Sequence, residues 1–501
     1  MSGEEGHPSD YNFPVSRFLS LLRRTGAVFL VLLLATPLSA ADFVALRAAL
    51  ERVANRIPGQ PNGVSIEIVD DETGDPVFER APEVPQSIAS ITKLITTASA
   101  IHYLGPDYKF KTSFWRRGEV QQGSLLGSLL VVGGGDPNIS GRFYDDDINA
   151  VFDRWAEGLR QAGISRVTGD IILNASFFDS IGRHPEWPAG QESRWYQAPI
   201  SALSYNDNVV LVSISPGSRP GRAVGVSIEP PVDILRPVSL ARTVGRKGRV
   251  RVAVSRAAGS NAVTVSGTVP LRPARWLTPI TIDDPPIFFG KALANRLRNA
   301  GVVVSGKVVQ QAVKPDMTWV PIATTESDLL PTIEVCNRRS QGFYAEQIFK
   351  TISAEKNGKG TWAGSVVLAK QFLAALGLDP ARFQLRDGSG LSSGNRVPAA
   401  EVVRFLRAME RHPQGERWRS TLAISGESEG TLRHRLRDVL TRGQVLAKTG
   451  SLERVSTLAG YARAGSGRTY VFAILLNGRG VTDGGGQAFQ DRLLRALIQS
   501  G

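Results

Sequence analysis

The stretch Pro85-Gln-Ser-Ile-Ala-Ser-Ile-Thr-Lys-Leu-Ile-Thr-Thr-Ala-Ser-Ala100 constrains the chain more than any other. Ile91, Leu94, Ile95, Ala98 and Ile101 recur at helical spacing, which predicts a buried helix. Positions three apart share a helix face, so the Lys93 amine comes beside the Ser90 hydroxyl. A serine hydroxyl is a poor nucleophile until a neighbouring base takes its proton. Lysine is such a base when burial or a nearby cation holds it neutral near physiological pH. The helix N-terminus also favours the negative charge that develops there. Spacing alone does not decide the matter, because Ser353-Ala-Glu-Lys356 repeats it in a polar stretch running into Lys-Asn-Gly-Lys-Gly.

Taken in order, the chain begins with a polar segment ending in Arg23-Arg24. A short apolar core, Gly26-Ala-Val-Phe-Leu-Val-Leu-Leu-Leu-Ala35, and the small residues of Thr36-Pro-Leu-Ser-Ala-Ala-Asp42 follow. This is the pattern of a secretory signal peptide over 1–41, shorter than a comfortable membrane span. An uncleaved anchor or a buried helix is the alternative. The pattern predicts export across the cytoplasmic membrane, to the periplasm or cell envelope. A helix is expected over 42–57 and a hairpin over 64–69 and 76–80, followed by the Ser90 helix.

From 108 the texture changes to short strands, glycines and prolines. It reads as an inserted domain over 108–216 with a small β insertion over 217–272. The flanking segments, 42–107 and 273–501, make one split domain. The triple glycine before Asp136-Pro137 reads as a structural turn, since no Gly-Lys-Ser/Thr follows it. Helices are expected over 286–302, 327–355, 361–377, 398–411 and 485–499. Between the last two, Val445-Leu-Ala-Lys-Thr-Gly-Ser-Leu452 opens a three-strand run with a hairpin of 456–464 against 469–476. A lysine beside a glycine on an edge strand lets a substrate backbone pair closely while the ammonium meets its carboxylate. A surface Lys-Thr-Gly at a strand end is the plainer alternative.

Net charge is +13 over 501 residues, spread as arginine along the chain. It fits either a soluble basic surface or affinity for a polyanion such as a cell-wall polymer. No basic run interleaved with aromatics occurs, so nucleic acid is not an expected partner. The single cysteine, Cys336, forms no internal disulfide, and the five histidines are scattered, with none paired at ligand spacing. No metal or other cofactor is expected, and any base is lysine rather than histidine.

A Ser-x-x-Lys helix followed far downstream by Lys-Thr-Gly is the signature of class A β-lactamases and penicillin-binding proteins. Further stretches narrow the match. They are Gly134-Gly-Asp-Pro137, Tyr196-Gln-Ala-Pro-Ile-Ser-Ala-Leu203 with Asn206 and Asn208, Asn337-Arg-Arg-Ser340, Gly360-Thr-Trp362, Asp387-Gly-Ser-Gly-Leu-Ser392, Glu429-Gly-Thr-Leu432 and Leu458-Ala-Gly-Tyr461. In their order and spacing the mature chain resembles the D-alanyl-D-alanine carboxypeptidase/endopeptidase family, the low-molecular-mass class C penicillin-binding proteins. The resemblance implies an α+β fold, the penicillin-binding-protein/serine β-lactamase-like transpeptidase fold. That is a five-stranded antiparallel sheet flanked by helices, here with inserted mainly-β domains.

It also implies a mechanism. Ser90 attacks the carbonyl of a penultimate D-alanine or of a peptide cross-link, with Lys93 as base. Backbone N–H groups of Ser90 and Ser451 form the oxyanion hole. Lys448 binds the substrate carboxylate and helps depress the Lys93 pKa, Thr449 adds a hydroxyl beside Gly450, and Ser340 relays a proton to the leaving amine. Asp387 and Ser389 line the site, although Asp387 equally suits the cap of a turn. The implied partners are peptidoglycan stem peptides and cross-links, with β-lactams as covalent inhibitors. Peripheral membrane association, the oligomeric state and the preference for carboxypeptidase or endopeptidase work are left open.

Two positions depart from the family pattern. The middle motif is Ser-x-Asn, and here Gly342 replaces the asparagine in Ser340-Gln-Gly-Phe-Tyr-Ala-Glu346. Losing one buried hydrogen bond costs about 1–3 kcal/mol, or roughly tenfold to a hundredfold in rate. Gln341, placed on a helix, would point about 100° away and not compensate. Asn174 stands where the family favours an aspartate, which weakens recognition of a diaminopimelate amine if that aspartate reads it. Together they raise the alternative of a weakly active or inactive peptidoglycan-binding homologue. A β-lactamase is a further alternative, but no convincing loop carries a deacylating glutamate.

Overall fold

The computed structural model describes residues 40–272 and 275–501. The expected signal segment over 1–41 lies outside them, save for its last two residues. The described chain divides into two compact units. The first comprises 40–108, 184–188 and 328–501, and the second 109–183 and 189–327.

The first unit is built on an antiparallel sheet. Its strands lie in the spatial order Ala423–Ile424, Val445–Leu452, Val455–Arg463, Thr469–Asn477, Val64–Asp70 and Pro76–Arg80. Five of these are the expected strands, and Ala423–Ile424 adds a two-residue edge. Val455–Arg463 and Thr469–Asn477 are buried at nearly every position, because helices cover both faces of the sheet. On one face Leu46 and Leu50 of Ala40–Ala54, with Phe489, Leu493 and Leu497 of Asp483–Ser500, join Ile66, Ile68, Val445, Ala447, Phe472 and Ile474 in a core. Side chains alternate along a strand, so Lys448 and Gly450 face the other side. The helices Thr92–Leu104, Gly342–Asn357 and Ala399–Glu410 also belong to this unit, the last packed on the sheet with Tyr461 OH donating to Leu406 O at 2.9 Å.

The helix expected over 327–355 is two helices, Leu329–Arg338 and Gly342–Asn357. The break falls at Ser340, whose φ of 57° is left-handed. Periodicity could not reveal it, since apolar positions on both sides continue one helical stripe. Residues 184–188, within the insertion by sequence, belong to this unit; Trp187 donates its indole N–H to Asp387 at 3.0 Å.

The second unit holds the strands Lys109–Gln121 and Ser124–Val132 in a larger sheet that also takes in Val320–Asp328, with the helix Ala150–Gln161 beside it. Arg236–Ser239, Arg242–Val244, Arg251–Ser255 and Ala262–Pro270 form a separate four-stranded sheet. The boundary expected at 272 is corrected to about 327. The helix Pro285–Asn299 buries Phe288, Phe289, Leu293 and Leu297 among Phe152, Trp155 and Tyr205, and its Arg296 pairs with Asp153 of the neighbouring helix. A return of helical periodicity marks an element; which core that element joins depends on aromatic partners far upstream. The Gly134–Pro137 turn lies here too, with buried Asp136 accepting from Ser327 Oγ at 2.7 Å and Asn138 N at 2.8 Å.

The ring of Phe289 lies 5.0 Å from Phe152 and 5.9 Å from Trp155. Phe289→Ala is expected to destabilise the second unit by about 3–5 kcal/mol. Hydrogen exchange should speed up in Ser124–Val132 and Ala150–Gln161; faster exchange confined to the first unit's sheet would contradict the revised boundary.

Candidate active site

Ser90 lies half-buried in the short turn Ala89–Ile91, which runs directly into Thr92–Leu104. Ala89 before it has a φ of 46°, a left-handed conformation that costs a non-glycine residue about 1–3 kcal/mol. Neighbouring groups hold the turn in place. Asn477 accepts from Ser87 N at 3.0 Å and donates to Ser87 O at 3.1 Å, mimicking a strand partner. Thr457 Oγ1 donates to Ile88 O at 3.0 Å, and Thr92 Oγ1 to Ala89 O at 2.8 Å.

One helical step beyond, Lys93 is 2% exposed. Its Nζ is 2.8 Å from Ser90 Oγ and 2.6 Å from the carbonyl oxygen of Ser389. Lys448 is fully buried and donates to Ser340 Oγ at 2.7 Å and to Thr449 O at 2.8 Å. The structure thus gathers two hydroxyl–amine pairs, Ser90 with Lys93 and Ser340 with Lys448. Because Ser340 Oγ accepts from Lys448, its own proton is free to be donated elsewhere.

Strand Val445–Leu452 explains its glycine. A Cβ on Gly450 would lie 2.3 Å from Thr457 Oγ1, 2.9 Å from Ile88 O and 3.0 Å from Ser90 N. Only glycine lets this strand come so close to the Ser90 turn. Ala423–Ile424 pairs with Leu446 and Ala447 alone, so among the described residues no strand covers the outer edge from Lys448 onward. That open edge can take an extended peptide. Thr449 Oγ1 donates to Thr431 Oγ1 at 2.9 Å, and exposed Ser451 donates to Asp483 at 2.8 Å.

Burial lowers the Lys93 pKa, against the nearby carboxylates Glu346 and Asp387, which raise it. Lys448 is lowered further, by burial and then by the Lys93 charge. Repulsion between the two amines acts on both, beside the desolvation that each suffers. Two amines in one dry site cannot both hold protons cheaply. Cys336 is buried nearby, its thiol pushed up to about 12 by desolvation, so it stays protonated.

Asp387 has the turn-capping role. It is fully buried and accepts from Gly390 N, Ser392 N, Asn395 Nδ2 and Trp187 Nε1 at 2.7–3.0 Å. Ser389 meets Lys93 through its carbonyl oxygen rather than its hydroxyl, which accepts from Leu391 N at 3.3 Å. Sequence reasoning assigned no role to Glu346, a buried carboxylate accepting from Ser389 N at 2.7 Å, Gly388 N at 3.0 Å and Trp362 Nε1 at 2.7 Å. Burial pushes its pKa up to about 7. The available signal was its place in the run that begins at Ser340. Thr431 and Asn477 were likewise unassigned; Thr431 lies in the quoted Glu429–Leu432 stretch, whereas nothing local marks Asn477.

The departures resolve unequally. Gly342 is the first residue of Gly342–Asn357, and Gln341, with extended φ and ψ of −70° and 110°, precedes the helix rather than lying on it. The argument from helical direction therefore does not apply to Gln341. Asn174, at the end of Ile171–Asn174, donates to Val313 O at 2.7 Å and accepts from Ser176 N at 2.9 Å. Those bonds use both ends of its amide on backbone, and an aspartate could not make the first. The second Ser-x-x-Lys is no site: Ser353 Oγ donates to Lys359 O at 2.7 Å, and Lys356 is exposed.

Known proteins resemble the chain over nearly its whole described length. The D-alanyl-D-alanine carboxypeptidase of Actinomadura sp. (strain R39) is 31% identical over 440 residues, covering 84% of this chain and 78% of that protein. The D-alanyl-D-alanine carboxypeptidase DacB of Haemophilus influenzae is 24% identical, covering 79% and 81%. The crystal structure of penicillin binding protein 4 (dacB) from Haemophilus influenzae superposes with a TM-score of 0.78 at 21% identity, over 89% of this chain and 98% of that one. It shows the expected penicillin-binding-protein fold. The model of the D-Ala-D-Ala carboxypeptidase 3 (S13) family matches residues 46–496, and the chain belongs to that family of hydrolases.

Proposed function

We propose that the chain is an exported serine peptidase that cleaves D-alanyl-D-alanine ends and cross-links of peptidoglycan stem peptides through an acyl-enzyme on Ser90. The observation that carries this is the 2.8 Å approach of Lys93 Nζ to Ser90 Oγ at a buried site whose amine has a lowered pKa. A buried neutral amine takes the Ser90 proton as Oγ bonds to the scissile carbonyl carbon. The oxyanion is met by N–H groups of Ser90 and Ser451. The substrate carboxylate enters beside Lys448 and Thr449, bringing the counter-charge that restores a proton to Lys448. The tetrahedral centre collapses, the C–N bond breaks, and Ser340 passes its proton to the leaving amine; the proton that Lys93 took from Ser90 makes good that loss and leaves Lys93 neutral again. Water, deprotonated at Lys93, then attacks the ester, and that proton returns to Ser90 Oγ as the ester bond breaks.

Penicillin presents a carboxylate and a strained amide in the same relation, so it acylates Ser90 and blocks the site. In support, penicillin binding protein 4 from Haemophilus influenzae has been solved in complex with a novel beta-lactam, at a TM-score of 0.73 and 20% identity to this chain. The N-terminal segment supports placement in the periplasm or cell envelope.

Gly342 favours a second reading, a weakly active relative that mainly binds peptidoglycan. Gly342→Asn should raise the acylation rate roughly tenfold to a hundredfold under that reading. An unchanged rate would remove its motive.

Incubation with a fluorescent penicillin should give a covalent adduct by mass in the parent and none in Ser90→Ala. Absence of an adduct in both would overturn the acyl-enzyme. Lys93 must be neutral to act, so the acylation rate should fall as pH falls through its lowered pKa and level off above it. A rate that rises toward acid would exclude Lys93 as the base.

A further inference from the structure

We infer that Glu346 is a positioning residue for Lys93, holding the carbonyl that orients the amine and supplying its buried counter-charge. This rests on the reading of Ser90 and Lys93 given above. With glycine at 342 there is no amide side chain at that position to orient Lys93. What fixes its Nζ is Ser90 Oγ on one side and the carbonyl of Ser389 at 2.6 Å on the other. The Gly388-Ser389 backbone is itself gripped from two helices. Glu346 accepts both of its N–H groups, and Thr96 Oγ1 of the Ser90 helix donates to Gly388 O at 2.7 Å.

The fit is close. A Cβ on Gly388 would meet Phe349 Cβ at 2.6 Å and Ala345 O at 3.0 Å, and one on Gly390 would meet Ala89 O at 1.8 Å. The loop therefore cannot shift toward either helix, and removing the carboxylate leaves three donors sharing fewer acceptors. A glutamine offers one oxygen where the carboxylate offers two, and turns an N–H₂ toward a neighbouring N–H.

Several charged groups act on this pair. Burial and then Asp387 push Glu346 upward, Glu346 and Asp387 raise Lys93 against its burial, and Cys336 stays a neutral thiol. Lys448 is held down by Lys93, Lys350 lies 4.1 Å from the Trp362 ring that donates to Glu346, and His184 packs edge-on against that ring. Removing the Glu346 charge withdraws one of the influences that keep Lys93 protonated, so its proton leaves at lower pH. The shift is read on the acid limb of the acylation profile.

The test compares parent, Glu346→Gln, Glu346→Asp and Trp362→Phe. Readouts are the pH profile of acylation by fluorescent penicillin, thermal unfolding, and the titration of Lys93 Cε by NMR in lysine-labelled protein. Glu346→Gln should lower the acylation rate at its plateau roughly tenfold to a hundredfold. Its acid limb and the Lys93 titration should both move to lower pH by about one unit. Glu346→Asp keeps the charge but not the reach, so the plateau falls and the limb stays nearer the parent's. Should Glu346→Gln fail to fold, Trp362→Phe decides. It removes one donor to the carboxylate, raises the Glu346 pKa, and should move the limb in the same direction by less. A lowered plateau with the limb and the Lys93 titration unmoved would reduce Glu346 to a structural support and overturn the inference. A parent that takes up no penicillin would instead overturn the acyl-enzyme reading, with the NMR titration still deciding the Glu346–Lys93 link.

Discussion

Two lysine amines are taken out of water in the first unit, and much of its architecture serves to make that tolerable. An ammonium in a dry interior is expensive unless it is paired, and the cheaper course is to lose its proton. Lys93 and Lys448 each have a serine hydroxyl and a backbone carbonyl within hydrogen-bond distance. The carboxylates Glu346 and Asp387 lie close enough to pull Lys93 back upward. An amine poised in this way can take a proton from a hydroxyl, which an exposed lysine at its ordinary pKa cannot do near neutrality.

The geometry around those amines is bought with backbone strain at two points. Ala89 and Ser340 are both left-handed, and each stands beside or within a hydroxyl–amine pair. Surrounding bonds hold them there. Asn477 and Thr457 reach across from the central strands to the residues before Ser90, while Gly450 removes the side chain that would keep the Lys448 strand away. The sheet is therefore part of the site. Its central strands are buried on both faces, and that rigidity keeps hydroxyls and amines within hydrogen-bond distance.

Legibility followed the range of the interactions concerned. Ser90 with Lys93 was readable because a three-residue helical step is local, and Lys448-Thr449-Gly450 because it closes a recognisable strand. Asp387 was placed in the right stretch, but its role as the cap of a turn depends on Trp187, two hundred positions away. Glu346 sat in plain view after the Ser340 motif, yet its partners on the Gly388 loop come from another segment. The inserted unit's end was misplaced because Pro285–Asn299 is apolar in a way that suits either core, and only Phe152, Trp155 and Tyr205 select one.

The sequence by itself determined the alternation of elements, the five long strands, the serine–lysine step and the family to which these motifs belong, since all are carried by residue type and short spacing. Tertiary structure decided which segments share a core and that the helix after 327 breaks at Ser340. It also decided that Asn174 is spent on backbone and that Lys93 and Lys448 are both taken out of water. Those outcomes depend on burial and on contacts between residues far apart in the chain, which no local pattern encodes.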